Sequence, residues 1–193
     1  MNLQSSRDCA LDADILAAVD DAQEALQQLL MALVRFPSVN GEEAGAQDFM
    51  EDLFQNLGLE TDRFEVRDAD LRSMPGYSPA VGYWERHDNI VGIHRPRHVA
   101  GRSLILNGHI DVVPVGAEEL WSPPPFYPVV RDGRLYGRGA GDMKAGIAAY
   151  LTAFRALRAL GLQPSAPVYL QSVVEEECTG NGALACLQRG YRA

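Results

Sequence analysis

No stretch of the chain approaches eighteen uninterrupted apolar residues, which argues against a membrane-spanning helix. The opening residues, MNLQSSRDCALDAD, have neither the cationic start nor the apolar core of a secretion signal. Cysteine is scarce. Cys9, Cys178 and Cys186 form no C-x-x-C pair and no even set, so neither a disulfide framework nor a cysteine zinc site is signalled, and a reducing cytoplasm fits best. Basic residues are few: 17 Lys and Arg stand against 26 Asp and Glu, a net charge of -9. That balance speaks against nucleic acid or an anionic membrane as a partner, since both need clustered cations. Internal repeats, low-complexity tracts and linkers are also lacking. What the 193 residues do have is 47% hydrophobic content, enough for one sizeable core without staples.

The apolar pattern alternates between helical and extended periods. From Asp12 to Phe36, Leu26, Leu29, Leu30 and Leu33 recur on one helical face, and Pro37 closes the run. A second helix is expected over 42–57, ended by Gly58 at the position a helix C-cap favours. Residues 59–66 read as a strand, and 68–87, rich in Pro, Gly and aromatics without periodicity, as a long ordered surface loop. NIVGIHR (89–95) and SLILNGHID (103–111) are short β-rich runs, and PVVRDGRLYG carries a D-G hairpin signal. After Asp142, residues Met143, Ile147, Leu151, Phe154 and Leu157 step at helical spacing. APVYLQSVVEE (166–176) is a nearly continuous apolar strand, as expected at a sheet's centre, and a last helix is expected over 181–189. Strands alternating with helices imply an α/β layered domain with a largely parallel central sheet.

In such sheets ligands bind beyond the carboxyl ends of the strands. His109 and Asp111 end one strand, Asp142 lies in a glycine-rich loop before a helix, and Glu175, Glu176 and Glu177 end another. A histidine and several carboxylates on separate strand ends suit a divalent metal such as Zn, Co or Mn. In H-x-D on an extended strand both side chains project to one face, so Asp111 is placed to orient the His109 ring. The competing readings are a satisfied core or surface histidine and a solvated charge run at 175–177. A phosphate loop at LYGRGAGDMKAG is disfavoured, because neither phosphate-binding glycine pattern is present and Asp142 would repel the anion. Within the EEE run, one glutamate could bind metal while its neighbour works as a general base.

The ordered combination GHIDVVP, W-S-P-P-P-F, RDGRLYGRGAGDMKAG and SVVEEECTGNGALA resembles the two-zinc amidohydrolase and aminoacylase peptidases, the family of acetylornithine deacetylase, succinyl-diaminopimelate desuccinylase and glutamate carboxypeptidase. The likeness covers most of residues 20–190. It implies a three-layer α/β/α catalytic domain with a mostly parallel sheet and two divalent metal ions, zinc foremost, with cobalt or manganese as alternatives. By motif, His109 matches a terminal ligand of one metal, Asp111 its orienting partner and Asp142 the bridging carboxylate. Setting Gly182 at the family's glycine makes Glu176 the general base and Glu177 a ligand of the second metal; the rival register, with Glu175 as base and Glu176 as ligand, ranks second. The resemblance also implies a cis peptide between Asp142 and Met143.

The implied activity is hydrolysis of an amide in a small N-acyl amino acid, with a dipeptidase or carboxypeptidase of the same family, or a non-catalytic remnant, as alternatives. The family pattern continues past Ala193 with another acidic ligand, a lid and dimerisation domain, and a distal histidine ligand. Residues 1–193 are therefore expected to be the N-terminal portion of the catalytic domain of a homodimeric parent. Ala145 stands where many relatives have glycine, with little expected consequence.

Overall fold

A computed structural model describes residues 3–82 and 86–193. The elements run α1 (Leu3–Asp21), α2 (Gln23–Val34), α3 (Ala44–Asn56), β1 (Glu60–Glu65), α4 (Asp68–Leu71), β2 (Asp88–His94), β3 (Leu104–His109), β4 (Val129–Arg131), β5 (Arg134–Tyr136), α5 (Lys144–Ala159), β6 (Val168–Val173) and α6 (Asn181–Gln188). The single helix expected from Asp12 to Phe36 is two, separated at Ala22. Only the second carries a core-facing stripe, Leu29, Leu30, Leu33 and Val34, and it stops at Val34, ahead of the helix-disfavoured residue that precedes Pro37. The aperiodic 68–87 segment contains the one-turn α4, and residues 83–85 of that loop lie outside the described residues.

The four-stranded sheet has the order β1-β2-β6-β3. The α/β layering holds, but the sheet is mixed where a mostly parallel one was expected. Strand β2 is antiparallel to both β1 and β6, and only β3 and β6 run parallel. Parallel neighbours in sequence need a crossover long enough to return the chain to the same end of the sheet. Helix α5 supplies one between β3 and β6, whereas only the short α4 stands between β1 and β2. Strand β6 takes the central place that its apolar run indicated.

Helices α2, α3 and α5 cover one face. Leu33, Met50, Phe54, Ile147 and Leu151 are fully or almost fully buried there with Ile90 and Leu170 of the sheet. Each such side chain stabilises the fold by about 1.5–3 kcal/mol relative to exposure. On the other face Val91, Ile93 and Val173 pack with Cys186 of α6 and Tyr191, which makes the third layer. Gly92 brings α3 close to the sheet, since a Cβ on it would stand 2.7 Å from the Phe54 ring. The D-G hairpin forms between β4 and β5, with Asp132 and Gly133 both at positive φ, the conformation that two-residue turns favour. Among the described residues, no helix is long and apolar enough to cross a membrane, and Cys178 and Cys186 are free.

Candidate metal centre

The site lies where β3 and β6 leave the sheet together. His109 is in parallel register with Val173, so the residues following both strands emerge at one edge. Past His109 the chain continues extended, held by Ile110 N–H donating to the Val173 carbonyl at 2.8 Å and by a parallel bridge between Val39 and Val112. Past Val173, Asn89, fully buried, fixes the strand end: its side-chain carbonyl accepts from Val174 N–H at 3.1 Å and its amide donates to the Gly182 carbonyl at 2.7 Å. Gly182 must be glycine here, because a Cβ would overlap the Val174 carbonyl. The chain then turns at Glu175, whose φ of 63° is left-handed, and the next two glutamates reach toward His109. Asp142 arrives from the third side, in the loop that opens α5, and the Asp142–Met143 peptide is cis, as the resemblance implied. Gly139, at φ 78°, allows this loop to close on Val112 and the Lys144 side chain.

These paths bring His109, Asp142 and Glu177 together, with one donor atom from each lying within 4.8 Å of the others. His109 Nε2 stands 3.1 Å from Asp142 Oδ1 and 3.7 Å from Glu176 Oε2. The imidazole is 4% exposed, whereas the Asp142 and Glu176 side chains are 80% and 55% exposed, so a buried ring faces an open, carboxylate-lined mouth. On its other side, His109 Nδ1 lies 2.9 Å from the Asp111 main-chain carbonyl and 3.6 Å from the Asp111 carboxylate. Asp111 thus touches the ring through its backbone, while its Oδ2 accepts from Glu177 N–H at 3.0 Å. With Nδ1 donating to that carbonyl, the Nε2 edge of the ring faces the carboxylates, where a metal would take the Nε2 lone pair in place of a proton.

Burial alone would lower the His109 pKa, but the bonds to Asp111 and Asp142 outweigh it and raise the value to about 9. Burial, reinforced by the charge on Asp142, holds the Glu177 carboxyl above its ordinary range. A divalent ion among the same oxygens would compete with a proton for His109 Nε2. The donor set, one imidazole and two carboxylates at a solvent-facing opening, fits zinc, cobalt or manganese. Lys144 stands apart from the cluster: it is fully buried, burial pushes its pKa down to about 7, and its Nζ donates to the Phe36 carbonyl at 2.8 Å.

Glu175 turns away from the cluster. It is 2% exposed, its Oε1 lies 2.8 Å from His87 Nε2, and its Oε2 accepts from the Thr179 hydroxyl. Sequence reasoning missed this pair, since His87 sits in an aperiodic loop 88 residues away. It also missed Asn89 and Asn181; the latter exchanges two hydrogen bonds with the backbone of Ser78 and ties the 72–82 loop to α6.

Residues 105–193 match the model of peptidase family M20/M25/M40. An N-formyl-4-amino-5-aminomethyl-2-methylpyrimidine deformylase from Halalkalibacterium halodurans is 35% identical over 184 residues, which are 93% of this chain and 39% of that protein. The succinyl-diaminopimelate desuccinylase of Delftia acidovorans is 38% identical over 150 residues, 78% of this chain and 35% of that one. The solved structure of human carnosine dipeptidase 1 superposes with a TM-score of 0.73 at 22% identity, covering 93% of this chain and 37% of that one, a likeness of fold alone. The matched part of the chain therefore belongs to peptidase family M20/M25/M40. The chain spans less than two-fifths of the length of the curated relatives described.

Proposed function

We propose that this chain carries the metal centre of an amidohydrolase that cleaves the acyl group from a small N-acyl amino compound. The observation that carries the reading is the convergence of His109, Asp142 and Glu177, with Glu176 beside the same imidazole. The names of the two curated relatives, a deformylase and a desuccinylase, support removal of an acyl group from an amine.

His109 and Asp142 would hold one divalent ion, and Asp142 and Glu177 a second, with zinc the first choice. When bound, the ions supply Lewis acidity and a water of lowered pKa. The chain's own part is to place the proton. Glu176, exposed and adjacent to His109, takes it from the attacking water and returns it to the departing amine. Glu175 is a poor competitor for that role, because both of its oxygens are engaged in the interior by His87 and Thr179. Asp111 orients the site, through its backbone to His109 and through its carboxylate to the Glu177 amide.

Elemental analysis after dialysis against zinc tests the reading, on this chain and on Asp142→Ala. Stoichiometric zinc in the first and its loss in the second is the expected result. Absence of zinc from both would overturn the assignment of these residues as a metal site in this chain.

A further inference from the structure

The three consecutive carboxylates at the end of β6 do not act together. Glu176 and Glu177 face His109 and Asp142, while Glu175 points into the protein. That division occurs at Glu175 itself, whose φ of 63° is a conformation that side chains other than glycine rarely adopt. Its backbone carbonyl accepts from Thr179 N–H at 3.0 Å and from Gly180 N–H at 2.8 Å, closing the turn beneath the two outward glutamates.

The side chain of Glu175 is gripped from two directions. Thr179 Oγ1 donates to Oε2 and in turn accepts from Asn181 N–H at 3.0 Å, which anchors the grip on the first residue of α6. His87 Nε2 holds Oε1 at 2.8 Å, and His87 Nδ1 lies 3.8 Å from Glu43 Oε2. His87, Glu43 and Glu175 are 4%, 1% and 2% exposed, so the group is largely buried. Glu43 also accepts from Gly41 N–H at 2.9 Å, in the segment whose Asn40 amide donates to Cys178 Sγ. His87 therefore joins three separate stretches, the start of α3, the entry to β2 and the turn after β6. Burial alone would lower its pKa, but the bond to Glu175 and the nearby carboxylate of Glu43 raise it to about 9.

We propose that His87 is a positioning residue for the metal centre: locked between Glu175 and Glu43, its ring holds the 175–180 turn so that Glu176 and Glu177 face His109 and Asp142. This rests on the metal-site reading above. His87 touches neither metal nor substrate, and it acts by removing freedom from the turn that carries two of the site's carboxylates. An outer partner of this kind is expected to change metal affinity about tenfold or more when lost.

The experiment uses cobalt(II) as the probe, read by its visible absorption and by competition with a chromophoric chelator, alongside circular dichroism and the apo-protein melting temperature. His87→Phe keeps a ring but leaves Glu175 ungripped on one side; it should bind cobalt about tenfold or more weakly, with a broadened spectrum. His87→Gln, whose amide can still donate to Glu175, should recover most of the affinity. Thr179→Val loosens the other side of the same carboxylate without touching His87 and should shift affinity in the same direction, which keeps the test open if His87→Phe fails to fold. Phe154→Leu, a core change away from the site, should lower the melting temperature without moving cobalt affinity.

Wild-type affinity and spectrum in His87→Phe, or in Thr179→Val when His87→Phe does not fold, overturns the positioning role while leaving the metal site standing. No cobalt binding by the unaltered chain overturns the metal-site reading itself and this proposal with it.

Discussion

The carboxylate of Asp111 accepts a hydrogen bond from the backbone N–H of Glu177 at 3.0 Å, although the two residues are 66 positions apart. The end of one strand is thereby fastened to the turn beyond another. The other oxygen of Asp111 faces His109 Nδ1 at 3.6 Å, so one buried carboxylate touches both an imidazole and the amide of a second donor residue. Asp111→Asn should keep the fold, since the side chain changes little in size, but the neutral amide accepts more weakly and adds N–H donors. Metal affinity should fall by about 10–100-fold, measured by chelator competition, with the circular dichroism unchanged.

Glu176 makes a separate prediction because it stands beside the site without being needed to close it. In the metal-loaded protein, Glu176→Gln should reduce hydrolysis of an N-acyl substrate by about 10²–10⁴-fold, the usual contribution of a general base, while bound metal stays stoichiometric. Turnover at the unaltered rate would assign the proton transfer elsewhere.

Gly182 limits how α6 meets the sheet. A methyl group there would overlap the carbonyl of Val174, and neither backbone can retreat, because Asn89 clamps both residues. Gly182→Ala should destabilise the chain by about 1–3 kcal/mol, the cost of overpacking, and a thermal melt would show it directly.

The C-terminal residues are held to β1 by charge. Asp62 accepts from Arg189 Nε and Nη2 at 2.6 and 2.7 Å and also from the Tyr191 hydroxyl. The hydrogen bond from Arg189 is the main cause holding its carboxyl below the ordinary range. A depressed folded-state pKa means stability that is fully present above the unfolded value near 3.8 and lost as pH falls through the folded one. Solvent screening keeps the effect to about 1 kcal/mol. Between pH 6 and pH 3, Asp62→Asn should therefore lose less melting temperature than the unaltered chain.

Much of this was legible beforehand where one local rule dominated. Gly58 ended α3, Asp132 and Gly133 made the hairpin, and the apolar run at 168–173 became the central strand, because cap, turn and two-sided burial each leave a local signature. Strand ends and motif order point to His109, Asp142 and Glu177, and these three side chains lie together. Strand direction was not legible: the pairing of β2 with β6 depends on which element follows which in space, and periodicity carries no sign of direction. The break at Ala22 was missed because helical spacing persists across it. His87 was missed for a different reason, since an ion pair across 88 residues leaves no trace in either local sequence.

The site's donors all fall within residues 109–177, from the last residue of β3 through α5 and β6, whereas several of its braces come from before β3 begins: Glu43, His87, Asn89, and Ser38, whose hydroxyl donates to the Ile110 carbonyl at 2.7 Å. A protease cut in the connection between β2 and β3 would thus leave every donor on one piece, with Asp111 and Thr179, and put His87, Glu43 and Asn89 on the other. Metal uptake by the nicked protein would then report whether the N-terminal piece has stayed docked, making the centre a gauge of assembly as well as a place of chemistry.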